Sequence, residues 1–557
     1  MRIYRYLRMY RLSLCCYYTV VFFSIVWQTV SSFNILVSPV YGEGSHFFAG
    51  AAVAQGLVDK GHNVTVLISR AYEHRTQDPR YSKLHFLIFD HRNRSTEDVR
   101  QMFFQVNTFV FKSKETQLIE LFSLVSESMA EDCECVLRDV TIMKQLEGID
   151  AIIVDPTWIC GMVMRHVLER TLNYSKHIKM ISMTPNIPDG TLLLYSGSYL
   201  NLAFQPEISS GYTNRMTFLQ RVNNVFFFSS VLFLASKIAI PPYEKVARNM
   251  GFDQNEFDLS LWTWHKYFDL HLINIHTSSE FPFPLAPNII LIGGGLTVTP
   301  PAKLDKVIRA CTQNLEEFVN SSGDEGIIVF TLGTYFSSVT KFEPEFVDLF
   351  AEAFQRLPQK VIWQLKELPK KELPSNVKAL PWVPQNDLLG HPKLRVIITH
   401  GGNNGFQEAC SHGVPMVIIP FIADQYDVGA RVEARGMGRS LDKHSLSADV
   451  IYETLHEVIN NPSYAQVAKE VSSIIKNDFM SGKERAAFWV DHVIRYGGEY
   501  LRSPAAELSF IQFYMLDVLA FLSALLCIIL LLVFFCLRFC FRLCFRLVFG
   551  RTKSKTD

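Results

Sequence analysis

Between Trp382 and Gln425 the chain reads WVPQNDLLGHPKLRVIITHGGNNGFQEACSHGVPMVIIPFIADQ, with polar residues where short apolar runs stop. Val396 to Thr399 is a β-branched run of the kind a parallel sheet buries on both faces, and it ends at His400. Gly401 and Gly402 permit a tight turn, Asn403 is placed to cap a helix, and Gly413 is placed to end it. His400 and Gly402 therefore stand at an expected helix N-terminus, where free N–H groups and the helix dipole suit a phosphate. Glu408, about two turns along, can accept hydrogen bonds from a ribose. Trp382 offers a flat face for a base, and after the strand VPMVIIP the pair Asp424 and Gln425 suits a polyhydroxylated ring. Taken singly, each has a plainer role: a structural histidine, a core tryptophan, a solvated helix carboxylate.

The first half holds a second candidate constellation. FNILVS reads as a buried strand, PVYGEGS as a glycine-containing loop, His46 to Val58 as an alanine-rich helix, and NVTVLIS as the next strand. This is the start of a βαβ unit, with His46 at the carboxyl end of the first strand. Gly42 and Gly44 suggest a dinucleotide fingerprint, but Phe47 occupies the third glycine's place, which argues against NAD. DAIIV is another strand and delivers Asp155 at its end. An aspartate beside a histidine from a neighbouring strand can fix the imidazole tautomer and stabilise imidazolium.

At 557 residues the chain is long for one domain, and two compact domains plus membrane segments fit it. Lys and Arg together number 54, as do Asp and Glu, so no basic field points to nucleic acid. Residues 1–32 carry Arg2, Arg5, Arg8 and Arg11, then an apolar run, then small residues, the order of a secretory signal peptide. Val518 to Leu537 is uncharged and long enough to cross a bilayer, and Arg538, Arg542, Arg546, Arg551, Lys553 and Lys555 follow it. The positive-inside rule then makes the tail cytosolic and the chain single-pass, type I. Asn93, Asn173 and Asn320 begin glycosylation sequons that this topology would expose, whereas Asn63 begins one that enters a strand. Of 11 cysteines, Cys133, Cys135, Cys160, Cys311 and Cys410 fall between signal and span. That odd, scattered set is read as neither a disulfide framework nor a zinc site.

The W-x-P-Q, HGG, Glu408 and Asp-Gln elements at this spacing strongly resemble the signature of the UDP-glycosyltransferase family. They are most similar to its membrane-bound animal branch, which includes the UDP-glucuronosyltransferases. The resemblance runs from Phe33 through NRMTFLQRVNN, GGGL at Gly293, IVFTLGT and ERAAFWVDHVIRYGG to the span. It implies an α/β fold of two facing Rossmann-like domains (GT-B type) plus one C-terminal transmembrane helix. Residues 33–288 would bind acceptor, 289–490 would bind the UDP-sugar, 491–513 would cross back, 514–537 would span the membrane, and 538–557 would form the basic cytosolic tail. GSHF and VDPTWICG fall where the family carries its catalytic histidine and supporting aspartate, which implies those roles for His46 and Asp155. The donor contacts implied are Thr334, Trp382, Gln385, His400, Gly402, Asn404, Glu408, Asp424 and Gln425.

The implied reaction moves a hexosyl group from a UDP-sugar to a hydroxyl of a small lipophilic acceptor, with inversion. The UDP-sugar is a co-substrate, and no cofactor or metal is expected; no Asp-x-Asp pair occurs between Phe33 and Arg502. Glucuronosyl transfer comes first. Phe283, in FPFPLAPN, stands where many glucuronosyl members have the arginine of FPRPLLPN, and phenylalanine offers a carboxylate no donor. Glucosyl or galactosyl transfer is therefore the alternative, and a non-catalytic binding or chaperone-like member of the same fold a further one. The acceptor is expected to be shaped by segments within 86–124 and 187–210, and homo- and hetero-oligomers are both left open. The closing KSKTD resembles a dilysine retrieval signal, which implies the endoplasmic reticulum membrane with lumenal domains.

Overall fold

The computed structural model describes residues 32–42, 44–102, 118–171, 177–253, 256–302, 304 and 315–549. The expected signal segment, the Asn173 sequon, Cys311, residues 103–117 of the acceptor-shaping region and the KSKTD tail lie outside the described residues. The chain divides into two compact units, residues 1–502 and 503–557.

Among the described residues of the first unit, thirteen strands build two parallel sheets. The first holds β1 (Asn34–Ser38), β2 (Asn63–Ser69), β3 (His85–Phe89), β4 (Ala151–Val154), β5 (Lys179–Thr184), β6 (Leu270–Ile273) and β7 (Ile289–Leu291), in the order 3-2-1-4-5-6-7. The second holds β8 (Ile327–Thr331), β9 (Lys360–Gln364), β10 (Val377–Leu380), β11 (Leu394–Thr399), β12 (Met416–Ile418) and β13 (Gly438–Ser440), in the order 10-9-8-11-12-13. The central strands are near-continuous Val, Ile and Leu runs, buried on both faces because helices cover the sheet from either side. Each order reverses once, between β1 and β4 in the first sheet and between β8 and β11 in the second. Such a reversal opens a crevice beyond the carboxyl ends of the flanking strands, where open α/β sheets bind ligands.

The helices that matter below are α1 (Gly44–Asp59), α2 (Leu118–Arg138), α3 (Cys160–Thr171), α4 (Phe218–Leu234), α5 (Asn403–His412), α6 (Asp424–Arg435), α7 (Gly482–Tyr496) and α8 (Leu516–Phe549). Thr217 with Gln220, and Ser481 with Glu484, form capping boxes that start α4 and α7. Gly413 ends α5 in the left-handed region, as its position in the sequence suggests.

Three expectations need correction. The strand at Ile289 joins the first sheet, pairing with β6 in the register His271↔Ile289, so the first domain runs past the boundary expected there. A short apolar strand carries no local mark of which sheet will bury it. The return to the first domain begins at Gly482 rather than 491: Ala486, Ala487, Val490, Val493 and Ile494 of α7 share a core with Ile35, Val37, Ala51 and Val53. Gly56 makes that approach feasible, since a Cβ there would lie 2.8 Å from the Lys483 carbonyl oxygen. Finally, Cys133 and Cys160 are joined in a disulfide between α2 and α3. Spacing along the chain did not pair them; the packing of α2 beside α3 brings their Cα atoms to 5.3 Å.

In the second unit α8 carries the apolar run on through Arg538, Arg542 and Arg546, exposed along its length. By length and composition it can cross a membrane. In the first unit Phe218–Asn249 also passes that test. Its Asn224, however, is fully buried and bonded to Leu202, Gln205 and Glu207, which fastens α4 to the first domain.

Candidate active site

The crevice of the first sheet receives one side chain from each strand beside the reversal. After β1 the backbone turns through Tyr41 and Gly42 and enters α1, where His46 is the third residue. After β4 comes Asp155, whose Oδ2 lies 2.5 Å from His46 Nδ1. Its other oxygen accepts from the Thr157 backbone N–H at 3.0 Å and from the Thr157 hydroxyl at 2.7 Å. The carboxylate is 4% exposed and cannot rotate without losing both donors, so Nδ1 carries the proton and Nε2 is left to accept one. The His46 side chain is 21% exposed. Burial depresses its pKa, but Asp155 and then Asp424 outweigh burial and hold it above the ordinary 6.5.

The second crevice is built the same way. β8 leads through Gly333 into the short helix Gly333–Phe336 that carries Thr334, whose side chain lies outside the described residues. β11 ends at His400. Gly333 and Gly402 enclose the imidazole: a Cβ on either would come within 2.6 Å and 2.5 Å of the ring respectively. Phe336 meets it edge-on, and burial pushes its pKa down to about 4. At neutral pH His400 is thus an uncharged hydrogen-bonding group rather than a cation.

Asn403 does not cap α5. The helix starts at Gly402 with no side-chain cap, while the Asn403 amide reaches the Pro185 and Asn274 carbonyls of the first domain at 2.6 and 2.8 Å. The amides at this terminus are therefore not taken by a capping side chain. Asn404 also crosses between domains, donating to the Ser45 carbonyl at 3.1 Å and accepting from Asn274 at 2.8 Å. It lies beside the residue that precedes His46.

Glu408 is braced on both oxygens, by the Thr297 hydroxyl at 2.5 Å and the Gln385 amide at 2.6 Å, and burial raises its pKa. Each oxygen keeps a second lone pair for a ligand. Trp382 is half-buried in the turn after β10, three residues before Gln385. Asp424 and Gln425 open α6 behind Ala423, a non-glycine residue at φ 53°, ψ −135°. Backbone strain of this kind concentrates at ligand clamps and is held by its surroundings. Here the Gln425 side-chain oxygen accepts from the Phe421 and Ile422 N–H groups at 2.8 and 3.2 Å, so its carbonyl serves its own turn. Burial raises Asp424 to about 6, opposed first by the charge of His46. Asp424 and His46 therefore face each other electrostatically across the two domains.

The structure thus brings His46 and Asp155 together, groups Gln385 with Glu408, and sets Asp424 and Asn404 against the His46 region. Phe283 lines, with Glu207, Glu280, Phe281 and Arg431, a cavity of about 20 Å³. Thr157, Thr297 and Asn274 escaped the sequence reading. Asp-x-Thr after a strand is a recognisable side-chain turn, but nothing local marks the other two: Asn274 directly follows β6, and Thr297 reaches the site from the connection between the sheets.

Among the described residues no group of three His, Cys, Asp or Glu side chains could hold a metal ion. Residues 34–551 match the family described as UDP-glucoronosyl and UDP-glucosyl transferase. UDP-glucuronosyltransferase 2B16 of Oryctolagus cuniculus is 33% identical over 521 residues, covering 90% of this chain and 93% of that protein. The 2-hydroxyacylsphingosine 1-beta-galactosyltransferase of Homo sapiens is 30% identical over 510 residues, covering 89% and 87%. Among solved structures, the spinosyn forosaminyltransferase SpnP superposes with a TM-score of 0.55 at 18% identity, over 84% of this chain and all of that one, a likeness of fold. Two parallel sheets with facing crevices and a match along nearly the whole length place the chain in the UDP-glycosyltransferase family, as a glycosyltransferase of GT-B fold.

Proposed function

We propose that this protein transfers a hexosyl group, glucuronosyl as first candidate, from a UDP-sugar to a hydroxyl of a small lipophilic acceptor, with inversion. The observation that carries the reading is the His46–Asp155 pair, locked by Thr157 and facing Asp424 of the other domain. His46 Nε2 takes the acceptor's hydroxyl proton as the oxygen attacks the anomeric carbon, and Asp155 holds the resulting imidazolium. The bond from that carbon to the diphosphate breaks on the opposite face, and its electron pair leaves on UDP. Thr334, Gly402, the α5 amides and neutral His400 would meet the diphosphate. Trp382 would stack on the base, Glu408 with Gln385 would bind the ribose, and Asp424 with Gln425 would bind the sugar, with Asn404 at the seam.

Galactosyl or glucosyl transfer is the second reading, favoured by Phe283 and by the galactosyltransferase relative. The apolar C-terminal helix fits membrane association. Placement in the endoplasmic reticulum with lumenal domains belongs to this proposal, as does glycosylation at the exposed Asn93 and Asn320. The test is a panel of UDP-glucuronate, UDP-glucose and UDP-galactose against membranes containing the protein, with a promiscuous phenol as acceptor. Turnover of UDP-glucuronate well above the others supports the first reading, preference for a neutral sugar supports the second, and turnover of none, with UDP bound, refutes both.

A further inference from the structure

One turn beyond Asp424 on α6, Asp427 takes part in none of the steps above. It is 1% exposed, yet its partners lie in the other domain. Oδ2 accepts from the Ser209 backbone N–H at 2.6 Å, and Oδ1 accepts from the Gly211 N–H at 2.9 Å. Ser209 and Gly211 both have left-handed backbone, φ 69° and 63°, so their two N–H groups converge on the carboxylate while the N–H of Ser210 between them bonds to the Glu207 carbonyl at 3.1 Å. A serine at positive φ is uncommon and persists where its surroundings over-determine it. The loop is fixed from behind by Asn224, whose oxygen accepts from the Glu207 N–H at 2.7 Å and whose amide donates to the Gln205 carbonyl at 2.8 Å.

On the helix side, Arg431 donates to the Asp427 carbonyl at 3.0 Å and pairs with Glu280 at 2.6 Å. Asp427 is thus seated between a rigid amide nest on the first domain and a rigid helix on the second. The charged groups felt by its carboxylate are Arg431 and Asp424 on α6, and it acts in turn on Glu207. Because α6 is stiff, the height at which Asp427 docks is also the height at which Asp424 faces His46.

We infer that Asp427 is a positioning residue for the transfer: its carboxylate, held by the Ser209 and Gly211 amides, clasps the two domains and sets Asp424, at the start of the same helix, opposite His46. This rests on the reading of His46 as base and Asp424–Gln425 as sugar contacts. The diphosphate and ribose contacts all lie on the second domain, so the clasp acts on the transfer step and not on UDP capture.

The test is a double-mutant cycle on the full-length membrane protein, with Asp427→Asn from one side of the clasp and Gly211→Val, whose β-branched side chain disfavours φ 63° and turns the Gly211 N–H away from the carboxylate, from the other. Each single variant is expected to lower kcat about tenfold or more, roughly 1.4 kcal/mol, while KM for the UDP-sugar and the affinity for UDP change less than twofold. The double variant is expected to be no slower than the slower single one, because both break the same contact. Ser209→Gly, which keeps the amide and suits positive φ, should retain wild-type kcat. Independent, multiplying effects, full turnover in Asp427→Asn, or equal losses in kcat and UDP affinity would each overturn the clasp. His46→Ala separates this from the underlying reading: turnover retained there sinks the base assignment, whereas the cycle still reports whether the two clasp sites act as one.

Discussion

Replacing Asp155 by asparagine is expected to do more than remove a charge. The Thr157 N–H and hydroxyl, at 3.0 and 2.7 Å, both require an acceptor at the Oδ1 position. An asparagine must therefore keep its oxygen there and turn its NH2 group toward His46 Nδ1. That nitrogen then has to accept, the ring proton moves to Nε2, and the imidazole can no longer take the acceptor's proton. Loss of a charge-assisted hydrogen bond costs about 1.5–3 kcal/mol, which at about 1.4 kcal/mol per decade is roughly 10- to 150-fold in kcat. The wrong tautomer takes the loss further, toward the ~10⁴-fold seen when the aspartate of a serine-protease triad is amidated.

The pH profile supplies an independent sign. A base works when neutral, so wild-type activity should fall as pH drops through a value above 6.5, because Asp155 and Asp424 hold His46 up against burial. Without the Asp155 charge, burial weighs more, and the acid limb of Asp155→Asn should move to lower pH. Adding Thr157→Val removes the hydroxyl, one of the two donors that pin the asparagine oxygen, and should recover a small part of the lost turnover although the backbone N–H remains. Steady-state kinetics across pH on the three variants decides it. A limb that stays put or rises in Asp155→Asn, or a Thr157→Val double variant slower than the single, would refute this account of the pair.

His46→Ala should lower kcat about 10²- to 10⁴-fold, the span of general-base catalysis, with UDP affinity by calorimetry unchanged. His400→Ala should weaken UDP binding, and since burial keeps the imidazole neutral down to about pH 4, the ratio of mutant to wild-type affinity should be the same at mildly acidic and neutral pH. Gly333→Ala places a Cβ 2.6 Å from the His400 ring at φ 69°; it should cost about 1–3 kcal/mol of stability, read from thermal unfolding, and displace the histidine enough to reduce UDP binding. Removing the disulfide with Cys133→Ser, which frees a loop of sequence separation 27, should cost about 2–4 kcal/mol, measured as a lower denaturant midpoint.

The strands that lead to His400, Asp155 and Asp424 were legible in the chain because buried parallel strands are short β-branched runs and their ends are marked by glycine or a polar residue. So was the pairing of a histidine with an aspartate across neighbouring strands, since both follow the carboxyl ends of strands. The fold class, two Rossmann-like domains, was what the family resemblance implied, and the βαβ start at Phe33 agreed with it. What the chain could not state was which groups meet across a gap in sequence. Ile289 carries no sign of which sheet will take it, and Cys133 meets Cys160 only because α2 packs on α3. Asn403 and Asn404 read as a local cap and a ligand contact, yet docking of the domains turns both toward Pro185, Asn274 and Ser45. The same holds for Asp427, an ordinary helix carboxylate until an amide nest formed by Ser209 and Gly211, more than two hundred residues away, gives it a partner. Local conformational preference is written in neighbouring residues, whereas the partner of a buried polar group is chosen by tertiary packing, because only there does leaving it unpaired carry a cost.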